Sequence, residues 1–287
     1  MMTHTLKSLW RSFWVAAWLG WQIESNWADP FLFAIYSIVK PLAGAAILVV
    51  MYSVITQGNF ASPVFPYLYL GAAFYAYVGA VMTGISWSVM DDRERYKTLK
   101  YIYTGPISIP VYLFGRGVAR FLTASASVLI TILFGVLFLQ IHIDPGTVNW
   151  PLFLLTVAIG VAMLAMMGLI LASISLTVAN HSGQIGEATA AALYLFSGAI
   201  FPLEVLPTFL RPIGYIIPIA YWLELIRRSL VGPVAQAFPT FSGLSDLQLL
   251  GILFGLTIAF GITGFIVFRI CDTSARERGL IDRTTNY

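Results

Sequence analysis

The sequence predicts an all-α integral membrane protein with six transmembrane helices, an N-terminal amphipathic interface helix, and re-entrant outer helices between spans five and six. Three observations carry this. Hydrophobic residues make up 59% of the 287, with a mean hydropathy of +0.83. Charged residues make up 10%, where a soluble domain carries roughly a quarter; most of the chain therefore has no aqueous surface to cover. Finally, apolar runs long enough to cross ~30 Å of hydrocarbon alternate with short polar stretches.

Residues 5–27 come first. Trp10, Trp14, Trp18 and Trp21 recur at helical steps, while Lys7, Arg11 and Glu24 interrupt the run. Tryptophan favours the headgroup level, so the segment reads as a helix lying in the cytoplasmic interface; an early part of the first span is the alternative. The first span is predicted over residues 31–55, interrupted by Lys40-Pro41. A charge inside a span marks function by default, although a lysine in the first half can also snorkel to the headgroups. The second span covers residues 64–90, with Tyr67, Tyr69, Tyr75 and Tyr77 in its outer half.

Next stands DDRERYKTLKYIYTGP, Asp91–Pro106, with seven charges between Asp91 and Lys100. Hung between two spans it must sit in water, and Arg93, Arg95, Lys97 and Lys100 place it inside. Tyr96, Leu99, Ile102 and Tyr103 fall at helical spacing, which predicts a short amphipathic helix over residues 91–103. It reads either as a solvated positive-inside loop or as a surface offered to a cytosolic partner. The third span, residues 109–139, opens with Arg116 and Arg120 on one face. Asp91, Asp92 and Glu94 are candidate partners, and plain positive-inside placement is the alternative.

The fourth span is predicted over residues 151–179, with Gly160, Ala165, Gly168 and Ala172 as close-packing sites. Asn180–Glu187 returns the chain to the cytosol. The fifth stretch, residues 188–201, runs into Pro202, Pro207, Pro212 and Pro218, which forbid one continuous helix. Irregular backbone at membrane depth needs protein or a water-filled cavity around it, so residues 202–228 read as two short helices dipping in from outside. The sixth span is predicted over residues 247–270, with Gly251 and Gly255 as a possible helix contact. Arg269, Arg276, Arg278 and Arg283 put the C-terminus inside. Both termini are then cytoplasmic, in a multi-pass protein of the cell membrane.

Several function classes drop out. The chain has no GxxxxGK[ST] phosphate cradle, no HExxH, no GxSxG and no paired intramembrane aspartates. One cysteine, Cys271, and three scattered histidines offer no metal site. The basic balance, +3, needs no nucleic acid, since cytoplasmic loops are basic anyway. Acidic groups stand at ends and loops rather than inside spans, which points to a membrane half energised by a partner. A membrane-embedded enzyme or assembly factor would need convergent acid–base or metal groups, and none is visible.

The segment RERYKTLKYIYTGPISIPVYLFGR resembles the stretch before the third span of type-2 ABC exporter permeases, through Thr98-Leu99, Pro106 and Gly115-Arg116. SGAIFPLEVLPTFLRPIGYIIPIAYWLELIRRSL is similar to the same family's second hallmark, through Pro202, Leu206-Pro207, Arg211, Pro218, Tyr221 and Arg227. One departure is Lys97, where the family often has glycine before the Thr-Leu.

The resemblance implies a single transmembrane permease domain over residues 1–287, paired with a second copy of itself and docked by two ATP-binding cassette subunits. Those subunits would hold the ATP and Mg; this chain would bind no cofactor and perform no hydrolysis. Coupling to the ATPase would fall on Arg93, Glu94, Arg95, Lys97, Leu99, Lys100 and Ile102. The outer gate would be Pro202, Glu204, Leu206, Pro207, Phe209 and Arg211. The cargo, moved out of the cytoplasm or inner leaflet at the homodimer interface, would be an amphiphilic drug, lipid or glycolipid, or a lipid-linked polysaccharide. Lys40, Tyr36, Tyr52 and Tyr75 are candidates for its path, though aromatic belts explain tyrosines at these depths equally well.

Overall fold

The computed structural model describes residues 6–26, 29–60, 62–178, 182–232 and 239–281, and every regular element among them is helical. Helix α1 (Leu6–Ser25) buries Ala16, Ala17 and Gly20 and leaves Trp10, Trp14 and Trp18 exposed. Its small face packs on α6 (Ile109–Phe138). The approach requires glycine: a Cβ on Gly115 would lie 2.5 Å from the Phe13 carbonyl oxygen. The tryptophans thus face away from the bundle because the opposite stripe has the small residues that let two backbones meet.

Helix α2 (Pro30–Thr56) begins where Asp29 accepts a hydrogen bond from the Phe31 amide at 2.9 Å, with Pro30 at the first helical position. Residues 27 and 28 of the predicted interface turn lie outside the described residues. The second hydrophobic stretch is one helical rod, Val64–Arg95. It comprises α3 (Val64–Tyr77), a π turn at Val78–Met82, α4 (Thr83–Met90) and a second π turn at Asp91–Arg95. Each π turn takes in an extra residue and shifts which face points inward.

After α5 (Leu99–Thr104) and α6 come α7 (Trp150–Thr177), α8 (Ser182–Phe196), a 3₁₀ turn at Leu203–Val205, α9 (Arg211–Ile216), α10 (Pro218–Val231) and α11 (Asp246–Glu277). Asn149 caps α7 through its side chain, and Ser245 with Gln248 forms a capping box on α11. The core lies where α3–α4, α7, α10 and α11 meet.

Five helices are long and apolar enough to cross a membrane: Phe31–Thr56, Val64–Arg95, Ile109–Phe138, Trp150–Thr177 and Asp246–Glu277. The stretch predicted as the fifth of six spans differs. Its helix starts at Ser182 rather than 188 and ends at Phe196, 15 residues, or ~22 Å, short of ~30 Å of hydrocarbon. Gly198, at φ +72°, turns the chain there. Residues 180–181 of the predicted inner return, and 233–238 of the loop before α11, lie outside the described residues.

The packing of α10 and α11 rests on particular glycines. Gly251 and Gly255 face open space within the chain; α11 meets α7 instead through Gly264, where a Cβ would stand 3.2 Å from the Met166 carbonyl oxygen. Helix α10, read as a short helix entering from outside under a cover of protein, is buried along nearly its whole length against α3, α7 and α11. Trp222 seats over Gly160 of α7, where a Cβ would come within 2.0 Å of the indole nitrogen, and that nitrogen donates to the Thr156 carbonyl at 3.1 Å.

The charges of this region are satisfied one by one. Arg227 donates to the carbonyls of Tyr67 (3.1 Å) and Gly198 (2.8 Å), with its guanidinium 3.6 Å from the Tyr67 ring centroid. Arg228 pairs with Glu224 (2.9 Å) and Asp246 (3.1 Å) and donates to the carbonyls of Phe241 and Leu244, both at 2.7 Å. Arg211 donates to the carbonyls of Leu206 (2.9 Å) and Glu204 (2.5 Å). Pro202 offers the Gly198 carbonyl no amide four residues on, and Arg227 serves that carbonyl instead.

Candidate functional site

The charged segment is not one amphipathic helix. The rod of α3–α4 runs on to Arg95, and Lys97 then adopts φ +54°. That left-handed residue reverses the chain, so that the Thr98 amide reaches back to the Asp92 carbonyl at 2.8 Å. Helix α5 therefore leaves the rod at a bend, and the stripe drawn through Tyr96, Leu99 and Ile102 breaks. Leu99 and Ile102 turn into the bundle's own core, while Tyr96 stays at the surface. What faces outward is Arg95, Lys97, Lys100 and Tyr101, the last 68% exposed.

Behind this surface, buried side chains fix the segment to the bundle. Arg116 of α6 donates to Asp92 at 3.0 Å and to the Tyr112 hydroxyl at 3.1 Å, and Tyr112 donates to Asp92 at 2.8 Å. Arg93 pairs with Glu94 at 3.0 Å and donates to the carbonyls of Ser175 (3.0 Å) and Val178 (3.2 Å). Those carbonyls end α7, where no intrahelical donor remains and the helix dipole favours a cation. Tyr103 donates to Asp272 of α11 at 2.8 Å, beneath Arg276, which pairs with the same carboxylate at 3.1 Å. Burial and the neighbouring Asp272 push the Tyr103 hydroxyl above its usual range.

The partners of Arg116 and Arg120 diverge. Arg116 takes Asp92, one of the three sequence candidates, whereas Arg120 takes Glu24 of α1 at 2.8 Å. Burial pushes the Glu24 carboxyl above its usual range, against the pull of Arg120. The net result is that α5 and its bend are tied to α6, α7 and α11 together.

On the flank of the bundle, a groove of about 1150 Å³ separates α2 from α3–α4, α6 and α8. Of the four candidate path residues it receives two, Tyr36 and Lys40, whose ammonium lies 5.3 Å from the Tyr36 ring centroid. The others are packing residues. Tyr52 sits against Phe60 and Phe65 in a small cluster under the loop after α2. Tyr75 is buried, donating to the Ala190 carbonyl at 2.5 Å against the ring of Tyr194.

The six candidate gate residues share one loop but face different ways. Glu204 accepts from Thr240, Arg211 fastens the loop carbonyls, and Leu206 is buried. Pro202 is half-buried, Pro207 is exposed, and Phe209 is 76% exposed. Sequence reasoning missed the Glu24–Arg120 pair, the Tyr103–Asp272 contact and the buried seat of Trp222. The first had a signal, a lone acid ending a tryptophan-rich helix; the other two had none.

No curated protein matches the chain. A family model described as "ABC-2 type transporter" matches it over residues 11–231.

Proposed function

The chain belongs to the ABC-2 type transporter family, and from that premise we propose that it is the membrane permease of an ATP-driven exporter in the cell membrane. Membership makes it a multi-pass membrane transport subunit that works with an ATP-binding cassette partner. In the proposed assembly two copies pair, two separate ATPase subunits hold ATP and Mg, and an amphiphilic cargo leaves at the interface between the copies. The end bearing α5 and both termini faces the cytoplasm. The α9–α10 region lies toward the outside, and α8 with the turn after it makes the sixth crossing. The Pro202–Arg211 loop acts as the outer gate.

The observation that carries this reading is the construction of α5. Its outward face, Lys97, Lys100 and Tyr101, is basic and aromatic, and its inward face is anchored by Leu99, Ile102 and Tyr103. A soluble partner gripping the outward face would move α6, α7 and α11 with it. The residues assigned to coupling therefore divide. Arg95, Lys97 and Lys100, joined by Tyr101, make the docking face, while Arg93, Glu94, Leu99 and Ile102 transmit the motion.

The test is co-expression with the cognate ATPase. Lys100→Glu combined with Tyr101→Ala should leave insertion and yield unchanged while reducing ATPase capture at least several-fold. Leu99→Asp should lower the yield itself, because that side chain is core. Full capture by the Lys100/Tyr101 variant would refute the assignment of the docking face.

A further inference from the structure

The groove beside α2 holds a cation that the fold leaves unmatched. Lys40 makes no ion pair among the described residues, whereas Arg120, the deeper arginine of the same groove, is neutralised by Glu24. Position alone does not explain it as a headgroup anchor. Lys40 lies ten residues into a 27-residue helix, ~15 Å along its axis, and its side chain opens on the groove rather than the outer face. A charge at membrane depth marks a site for a partner of opposite sign.

The rest of the groove has the complementary character. Facing α2 are Ala72, Ala76, Gly79 and Ala80, and a Cβ placed on Gly79, or on Gly44 of α2, would meet nothing within 4 Å. The volume, about 1150 Å³, sits at the top of the range of ~300–1,000 Å³ common for small-molecule pockets. Asp91 and Arg95 line the groove at the α5 end, and Glu187 of α8 lines it beside the wall helix.

We infer that the groove is a binding site for an anionic amphiphile, whose phosphate or carboxylate head is held by Lys40 and whose chain lies along the Ala72–Ala80 wall. This deepens the exporter reading, on which it rests, by naming the charge of the cargo and its place of entry. The small wall residues leave the chain room, and the Tyr36 ring lies 5.3 Å from the lysine ammonium. An amphiphile without an anionic group would gain nothing from Lys40, and the cation of a zwitterionic head would offset part of what its phosphate gains.

The experiment uses the full-length protein in phosphatidylcholine nanodiscs. The probe is phosphatidylglycerol carrying a diazirine at its acyl terminus, with phosphatidylcholine bearing the same chain as control. Cross-linked residues are read by mass spectrometry. Labelling of α2 and α3 by the anionic probe should exceed that by the zwitterionic one at least threefold. Lys40→Gln should erase the difference and Lys40→Arg should keep it. Gly79→Leu, which fills open space in a helix and is sterically free, should lower labelling by both probes. Equal labelling by the two probes, or an undiminished preference in Lys40→Gln, would overturn the inference. So would loss of the preference in Lys40→Arg, since the charge would not then be the determinant. Competition by millimolar inorganic phosphate would show a free-anion site and overturn the amphiphile part. No ATPase enters this assay. Its failure leaves the permease reading standing, and a chain that labels as expected but recruits no ATPase would break the permease reading alone.

Discussion

Replacing Asp92 with leucine should damage the protein more than replacing its partner Arg116 with methionine, and replacing both should nearly restore it. Arg116 is 3% exposed and gives one nitrogen to both Asp92, at 3.0 Å, and the Tyr112 hydroxyl, at 3.1 Å. Without Asp92 the guanidinium stays charged, because it cannot lose its proton, and it keeps a single neutral acceptor. Stranding a buried charge in this way costs about 3–5 kcal/mol. Without Arg116 the carboxyl group still has the Tyr112 hydroxyl at 2.8 Å and can be neutralised by a proton, so ~1–3 kcal/mol is expected, the cost of one unmatched polar group.

In the double variant two apolar side chains share the volume, a replacement that is often near neutral. The coupling energy should therefore be about 4 kcal/mol, above the range usual for residues in contact. At roughly 2–4 °C per kcal/mol for a chain of this size, the Asp92→Leu midpoint should fall by about 6 °C or more. Thermal unfolding of the purified protein, followed by tryptophan fluorescence, measures all four corners of the cycle. Additive losses, with the double variant the least stable of the four, would refute the picture of a matched buried pair. The restored double variant then gives a folded protein in which ATPase coupling can be measured without the pair.

Lys97→Gly should stabilise the bend before α5 by about 0.5–1 kcal/mol, since a lysine at φ +54° bears a left-handed penalty that glycine escapes. Lys97→Val should destabilise it, and equal melting of the two variants would sink this account. Gly160→Ala should lower stability by ~2–3 kcal/mol, an overpacking loss, because the new methyl enters the space of the Trp222 indole. Trp222→Leu in the same chain should recover part of that loss, and failure to recover would place the strain elsewhere.

Much of the architecture could be read from residue order because bilayer thickness sets helix length. The predicted limits 31–55, 64–90, 109–139 and 151–179 fall close to Pro30–Thr56, Val64–Arg95, Ile109–Phe138 and Trp150–Thr177. What periodicity cannot reveal is which apolar environment covers a stripe. Leu99 and Ile102 share a face in any helix, but lipid, a partner and the protein's own core all select the same residue types. Only the bend at Lys97, which no spacing records, turns them inward.

For helix α10 the sequence showed the need for cover but not what supplies it. Its prolines and charges exclude a lipid-facing span, and nothing in their spacing names the helices around it. The deciding features are Gly160, which admits Trp222, and the backbone carbonyls that receive Arg227. Both lie far away in the chain. The groove escaped notice because the gap is made by missing side chains on one helix facing a lysine on another.

The arginines of the α9–α10 region impose an order of assembly. Arg227 is satisfied by Tyr67, from a helix made 160 positions earlier, and by Gly198. Arg228 has Glu224 one turn before it, but its other partners, Phe241, Leu244 and Asp246, follow it. During synthesis, then, α10 can dock one of its two neighbouring cations at once but must hold the other exposed until α11 begins to emerge. Released half-finished, the segment would hold its second charge through Glu224 alone, with the guanidinium donors that later meet Phe241 and Leu244 still unsatisfied. The start of α11 thus works as the latch that closes the bundle, and a chain truncated before Phe241 should be recognised as incomplete by the machinery that removes unassembled membrane proteins.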